Sequence, residues 1–391
     1  MPVVNPSWSQ KYPNNSPSER VYNVITYDGN NKNVVLFGGF NPSVSNIPNN
    51  ETWIWNGNNW IQKFPTNSPS ERLLPVITYD DNNKNVVLFG GSQNNRMNSN
   101  NSYLNDTWIW DGNNWIQKFP ADSPSLGVDY DMTYDYSNKN VVLLGSKNDT
   151  WIWNGNNWTQ KFPINSPGIT IYGTMSYDHT NKNVVLFGGT EETLNSSEKI
   201  KKTTYIWDGN NWIQKFPVNS PQISVFASST YDFYSKSIIL YGGADITEGN
   251  AVLYGDTWSW DGNNWTQIIT SSSPSASISN ITYDLNNNNI VLFGGGSIIN
   301  SNDIFYKDTW IFTSDNTSNT YTYKIIKEQI LTLRDKCYSN QYISKEVIKT
   351  LVNNNYNNVE AFQIYLFYVK RYNLILLNNN SFNQYWFSIK K

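Results

Sequence analysis

Short runs of β-branched and aromatic residues, each closed by a polar cluster, repeat through residues 5–313 and then give way to longer apolar spacings. In the first unit, "NVITY" and "NVVLF" flank an Asp/Asn/Gly/Lys cluster, which reads as two strands and a turn. "TWIW" at 52–55 alternates its bulk, so Trp53 and Trp55 project to one side of a pleat. "NGNN" follows, and Asn-Gly or Asp-Gly accepts the positive φ angles of a type I′ hairpin turn. The fourth segment, "WIQKFP", ends at Pro65, whose nitrogen supplies no ladder hydrogen bond.

This four-strand unit occurs six times. "VVLFGG" or a close variant ends at Gly39, Gly91, Gly189, Gly243 and Gly295, a degenerate copy ends at Gly145-Ser146, and the copies lie 43 to 55 residues apart. Four antiparallel strands repeated radially predict an all-β fold, a six-bladed propeller. The sixth unit, "DTWIFTSDNTSN" at 308–319, lacks a fourth strand, whereas the chain opens with "WSQKYPNNSPSER", the counterpart of "WIQKFPTNSPSER" at 60–72. With Trp8 included, the fourth-strand tryptophans number six: Trp8, Trp60, Trp115, Trp158, Trp212 and Trp265. Residues 7–12 are therefore expected to pair with 309–312, completing the last blade and removing an exposed edge. The propeller domain is placed at 1–313 and a helical segment at 314–391.

The double glycine after an apolar strand, the Trp-bearing third strand and the Trp opening the fourth resemble the kelch repeat. More closely, "YD…NVVLFGG…DTWIWDGNNW" is similar to galactose-oxidase-type kelch propellers of microbial and viral proteins. The resemblance covers about residues 5–313. It departs in blade three, which loses its second glycine, and in blade four, where Tyr205 replaces Trp. The Arg that often follows the Pro-rich segment matches only at Arg20 and Arg72. The resemblance implies a propeller that binds a protein, since a minority of such propellers are enzymes. The copper–radical chemistry of galactose oxidase would need two His and a Cys–Tyr crosslink. This chain has one His, His179, and its one Cys, Cys337, lies outside the propeller.

A net charge of −3 exerts no general pull toward nucleic acid or an anionic membrane. About one residue in six is Asn, which reads as the codon bias of an AT-rich genome. One Cys forms no intramolecular disulfide and suits a reducing compartment. The amino terminus shows no secretory pattern, and Glu360, Gln363, Lys370 and Arg371 interrupt the strongest apolar run, 359–377. These features set the expectation of a soluble intracellular protein, in a cytoplasm or a virion. Beyond the linker "SDNTSNT", helical spacing predicts helices over 323–337, after Ser344 as N-cap with Val347, Ile348 and Leu351 buried, and over 359–376.

In an up-and-down blade the first–second and third–fourth connections share one face, and here they are nearly constant. The second–third loops vary: 40–51, 92–106, 190–203, 244–256 and 296–308, against only 146–149 in blade three. Freedom among internal copies marks positions that the scaffold does not need, and binding usually sits on such loops. The short third loop predicts a notch in that rim. Candidate contacts are Arg20, Arg72 and Arg96, the aromatics Phe40, Tyr103, Tyr254 and Phe305, and Lys199, Lys201 and Lys202 of the patch "SSEKIKK". Arg20 and Arg72 either meet an acidic partner segment or tie down their own loops.

Asp131 stands where other inner strands carry Val24 or Val76, and a buried acid there needs a partner or channel water. With Asp129 it is one of three acid pairs, beside Glu191–Glu192 and Asp245–Glu248, that keep a glycan-recognising or glycan-processing alternative open. His179 falls at a turn position and reads as solvated. One His and one Cys exclude a Cys/His zinc site, and the six Asp of the "YD" phrases read as turn caps and not as a metal ring. The expectation is a non-enzymatic module with no cofactor, binding a protein through the variable face, with a glycan as the alternative ligand.

Overall fold

The computed structural model describes residues 6–45, 47–93, 103–127, 129–145, 147–168, 172–191, 199–200, 202–223, 225–247, 250–270, 272–297 and 304–314, and beyond these 330, 332–333, 339–353, 365, 381–383 and 387–388. The chain divides into two units, Pro6–Ser314 and a second comprising Met1–Asn5 with Asp315–Lys391. Pro6–Ser314 is a six-bladed β-propeller. Blade one runs Val24–Asp28, Asn33–Phe37, Thr52–Trp55 and Trp60–Lys63 from channel to rim, and blades two to five repeat that order. First strands touch those of both neighbouring blades, blade six against blade one included, so the ring is closed.

Closure takes the form that the strand count requires. Ser7–Lys11 pairs antiparallel with Thr309–Thr313, Trp8 opposite Phe312, and supplies the fourth strand of blade six. Each fourth-strand indole then donates to a threonine on the third strand of the preceding blade. The bonds are Trp8 to Thr257, Trp60 to Thr309, Trp115 to Thr52, Trp158 to Thr107, Trp212 to Thr150 and Trp265 to Thr204, all at 2.9–3.0 Å. Every one of these indoles is buried, and its ring packs on aliphatic and aromatic residues of two blades. Hydrophobic burial and a satisfied N–H thus come from the same residue, which explains why it recurs.

The third–fourth turn differs from the type I′ expectation. Trp55 pairs with Trp60, leaving a four-residue loop in which Gly57 has φ 98° and Asn56 is not left-handed. The Asn56 carboxamide oxygen accepts from the backbone N–H of Asn58 and Asn59 instead, an Asx turn. Asn at the end of this loop joins blades: Asn59 accepts from Asn14 N–H, Asn114 from Thr66 N–H and Asn211 from Ile164 N–H. The Asn richness is therefore partly structural, whatever its genomic origin.

In the second unit the helix Asn340–Asn353 buries Ile343, Val347, Ile348 and Leu351. It starts earlier than expected. Ser339 Oγ accepts from Tyr342 N–H, while Ser344 lies inside the helix and is buried. The segments expected to be helical over 323–337 and 359–376 fall largely outside the described residues. Among the described residues, no helix is long and apolar enough to cross a membrane.

Candidate functional site

Function on a propeller can sit on loops or in the central channel, and both are shaped here by the double glycine. After the second strand the chain turns through Gly38-Gly39 and bridges back, Val21 N–H and C=O pairing with Phe40. Leu73–Ser92 and Val225–Ala244 repeat the bridge. The fourth–first connection lies directly on the second glycine: a Cβ on Gly91 would come within 2.7 Å of Leu73 O, and one on Gly243 within 2.7 Å of Val225 O. This packing sets the residue that follows the bridge at the channel mouth. Five residues two positions ahead of a first strand have left-handed backbones: Tyr22 (57°), Leu74 (52°), Asp129 (64°), Tyr172 (63°) and Phe226 (57°). A bulky L-residue there is disfavoured by roughly 1–2 kcal/mol. Glycine would adopt the same angle freely, yet none of the five is glycine.

These five side chains line a cavity of about 190 Å³ at the variable-face end of the channel. Tyr172 packs on Phe226 with centroids 4.1 Å apart, and Phe226 lies 6.1 Å from Tyr22, so three half-buried aromatic rings edge the opening. Below them Thr174, Ser228, Ser229, Ser279 and Asn280 present polar groups, and Asp131 is buried in the wall. Ser229 shares hydroxyl bonds with Thr174 and Ser176, and Ser228 accepts from Ile281 N–H. Asp131 Oδ2 and Ser279 Oγ have no hydrogen-bond partner. Oδ2 fits because blade four has Gly173 opposite, where a Cβ would approach it to 2.7 Å. Burial alone lifts the Asp131 carboxyl from 3.8 to about 7. Asp129 lines the same cavity, whereas Glu192 and Glu248 of the other two pairs lie outside the described residues.

The other end of the channel holds a second cavity of about 180 Å³. Tyr27, Tyr79, Tyr134, Tyr177, Tyr231 and Tyr283 ring it, together with Gly29, Asp81, Tyr136, His179, Phe233 and Leu285. His179 is not a solvated turn residue. Its ring lies 4.3 Å from Tyr136 and 4.5 Å from Phe233, and desolvation lowers its pKa to about 4. The constant face thus has one variable position per blade, and all six copies point at this cavity. The neighbouring Asp residues cap their turns as expected: Asp28 Oδ1 accepts from Asn30 and Asn31 N–H at 3.0 and 3.1 Å, and Asp80, Asp135, Asp178 and Asp284 repeat the motif. Among the described residues, no three His, Cys, Asp or Glu converge as metal ligands.

Several surface candidates are taken up by the scaffold. Arg20 is buried and donates to Gly38 O, Ser18 and Glu51, the last at 2.7 Å; Arg72 is buried and forks onto Asp106 at 2.6 and 3.0 Å. They anchor their own loops and offer no partner-facing charge. Arg72→Met is expected to destabilise the propeller by about 2 kcal/mol, because Asp106 keeps its charge beside a lost partner. A denaturation midpoint unchanged from the parent would contradict that role. Phe40 is also buried, in the bridge to Val21, and Tyr254 packs against the core between blades four and five, so neither is a free contact. Tyr103 and Phe305 are half-buried on strands that extend blades two and six, opposite Ser92 and Gly296. Lys202 pairs with Asp245 at 2.9 Å. Lys199 pairs through its backbone with Glu191, and Arg96 and Lys201 lie outside the described residues.

The second–third connections build a rim around the mouth. Blades four and five carry extra hairpins, Thr190–Glu191 with Lys199–Ile200 and Ala244–Thr247 with Asn250–Leu253, and blades two and six lengthen their strands. Blade three joins Leu144 to Thr150 through residues 145–149 alone. The low point of the rim therefore stands over the blade that carries Asp131.

Fold and site together define a six-bladed β-propeller with an acid-lined cavity at one end of its channel, the architecture that the kelch resemblance implies. No protein-family model matches the chain, and no curated protein matches it. The solved structure of YjhT is similar, with a TM-score of 0.54 at 14% identity, covering 78% of this chain and 98% of that one. A fungal alcohol oxidase of the AA5 family, solved in complex with copper, gives 0.49 at 13% identity, over 75% of this chain and 62% of the oxidase. At such identities the likeness shows the fold alone.

Proposed function

We propose that this chain is a protein-binding module whose partner docks on the variable face. One observation carries the reading: the repeated Trp, Thr, Asp and Gly positions are engaged in packing, capping and blade-to-blade bonds, while the second–third loops differ in length and sequence from blade to blade. The hairpins of blades four and five and the lengthened strands of blades two and six make a wall with its gap at blade three. A rigid ring suits recognition, since a pre-organised scaffold leaves only the loops to be ordered on binding. The fit of a partner segment to the gap would set the register. Replacing residues 94–102 and 192–198 by short turns, which keeps Asp106 on Arg72 and Lys202 on Asp245, is expected to abolish retention of a partner while leaving the melting curve in place. Retention unchanged by both replacements would move binding off this face, and saturable, loop-dependent capture of soluble glycans would establish the carbohydrate alternative.

A further inference from the structure

We propose that the cavity at the variable-face mouth is a binding site for an alkylammonium group, either free or at the end of a lysine side chain. Its charge is one-sided: Asp129 and Asp131 line it, and among the described residues no Lys, Arg or His does. Asp131 is buried, yet its Oδ2 has no protein partner, and Ser279 Oγ, from blade six across the channel, is likewise unsatisfied. A buried acceptor without a donor is an unstable arrangement unless something outside the chain supplies one. An ammonium head carries three donors and a positive charge, matching the unfilled Asp131 oxygen and an acidic wall.

The edge of the cavity suits the rest of such a ligand. Tyr22, Tyr172 and Phe226 present aromatic rings, and a cation near their faces is attracted by the ring quadrupole. All three keep a bulky side chain on a left-handed backbone that glycine would hold without strain. A cavity of about 190 Å³ accommodates one small head group and its stem, not a folded segment. A neutral polyol would satisfy the acceptors but would leave the unbalanced acids unused.

The test titrates the full chain at about pH 8, above the raised Asp131 titration, with n-butylammonium, tetramethylammonium and n-butanol, followed by saturation-transfer NMR and calorimetry. Saturable binding of n-butylammonium with no binding of n-butanol is expected, and Asp131→Asn should weaken it by about tenfold or more. Phe226→Leu should reduce tetramethylammonium binding more than n-butylammonium binding, because the quaternary ion has only the rings to recognise it. A lysine peptide and its acetyl-lysine twin separate the two sources. Tighter binding of the lysine peptide than of n-butylammonium assigns a protein side chain, and binding of the free amine alone assigns a small-molecule ligand. Equal binding of n-butanol, or affinities unchanged in Asp131→Asn, would overturn the site and leave Asp131 as a buried acid only. Trimming the rim loops should leave n-butylammonium binding intact, so the outcome is independent of the docking face.

Discussion

Deleting residues 1–13 is expected to open the propeller at blade six and produce the largest loss of stability of any short truncation. The strand Ser7–Lys11 brings five paired positions to Thr309–Thr313, and Trp8 is buried against Tyr241 and Phe312 with its N–H on Thr257. Trp8→Ala isolates the side-chain part. A buried Trp truncated to Ala typically lowers stability by about 3–5 kcal/mol. For a unit the size of Pro6–Ser314, each kcal/mol shifts the midpoint by roughly 1.5 °C, so Trp8→Ala should melt roughly 5–8 °C lower. The deletion should exceed this, since it also strips backbone partners from Thr309–Thr313 and exposes an edge. Melting by circular dichroism would decide it, and a truncated chain melting with the parent would show that the ring does not depend on this strand.

The second large effect concerns Asp131 and pH. Its carboxyl has an ordinary pKa of 3.8, and burial raises it to about 7 in the folded chain. The folded state therefore holds a proton that the unfolded chain releases at lower pH. Stability from the neutral acid is complete below 3.8 and is lost as pH rises through about 7. A shift of this size corresponds to as much as about 4 kcal/mol. Asp131→Asn removes the proton equilibrium while keeping the shape. At about pH 8 the variant should be more stable than the parent by up to that amount, and at about pH 4 the two should nearly coincide. Denaturant midpoints across this range provide the check, with Asp129 and Tyr130 on the same segment, Tyr172 from blade four and Tyr22 from blade one as the other titratable groups near the cavity. Parallel curves for parent and variant would show that Asp131 is ionised in the folded protein, contrary to its burial.

Much of this fold is legible in the residues because each blade repeats the same local physics. Six fourth-strand tryptophans could be counted only by taking Trp8 from the other end of the chain, and that count alone placed the closing strand. The Asp caps were legible for a related reason: an Asx turn is satisfied within three residues of its own chain. What escaped depends on distant segments. Nothing near Arg72 in sequence shows that Asp106 waits for it, and nothing near His179 shows that Tyr136 of the neighbouring blade covers its ring. The left-handed mouth residues were also missed, although one signal was present. Tyr22, Leu74, Asp129, Tyr172 and Phe226 occupy one aligned position, four of them bulky and none of them glycine, an unusual combination for a loop two residues ahead of a strand. Asp131 was legible as an oddity in an inner strand, but only the cavity gives it a surrounding.

The closing strand also sets a timetable for synthesis. Ser9 bonds to Ile311 across 302 residues, so the first strand leaves the ribosome long before its partner exists. At roughly 5–20 residues per second, that wait lasts roughly 15–60 s. During it, blades one to five can assemble while "SWSQK" remains an unpaired strand with a large apolar ring. Its composition limits the hazard: Pro6 and Pro13 bracket the segment, and Lys11 puts a charge on it, features that discourage strand-to-strand association. The nascent chain thus carries its own protected latch, held open until the last blade arrives.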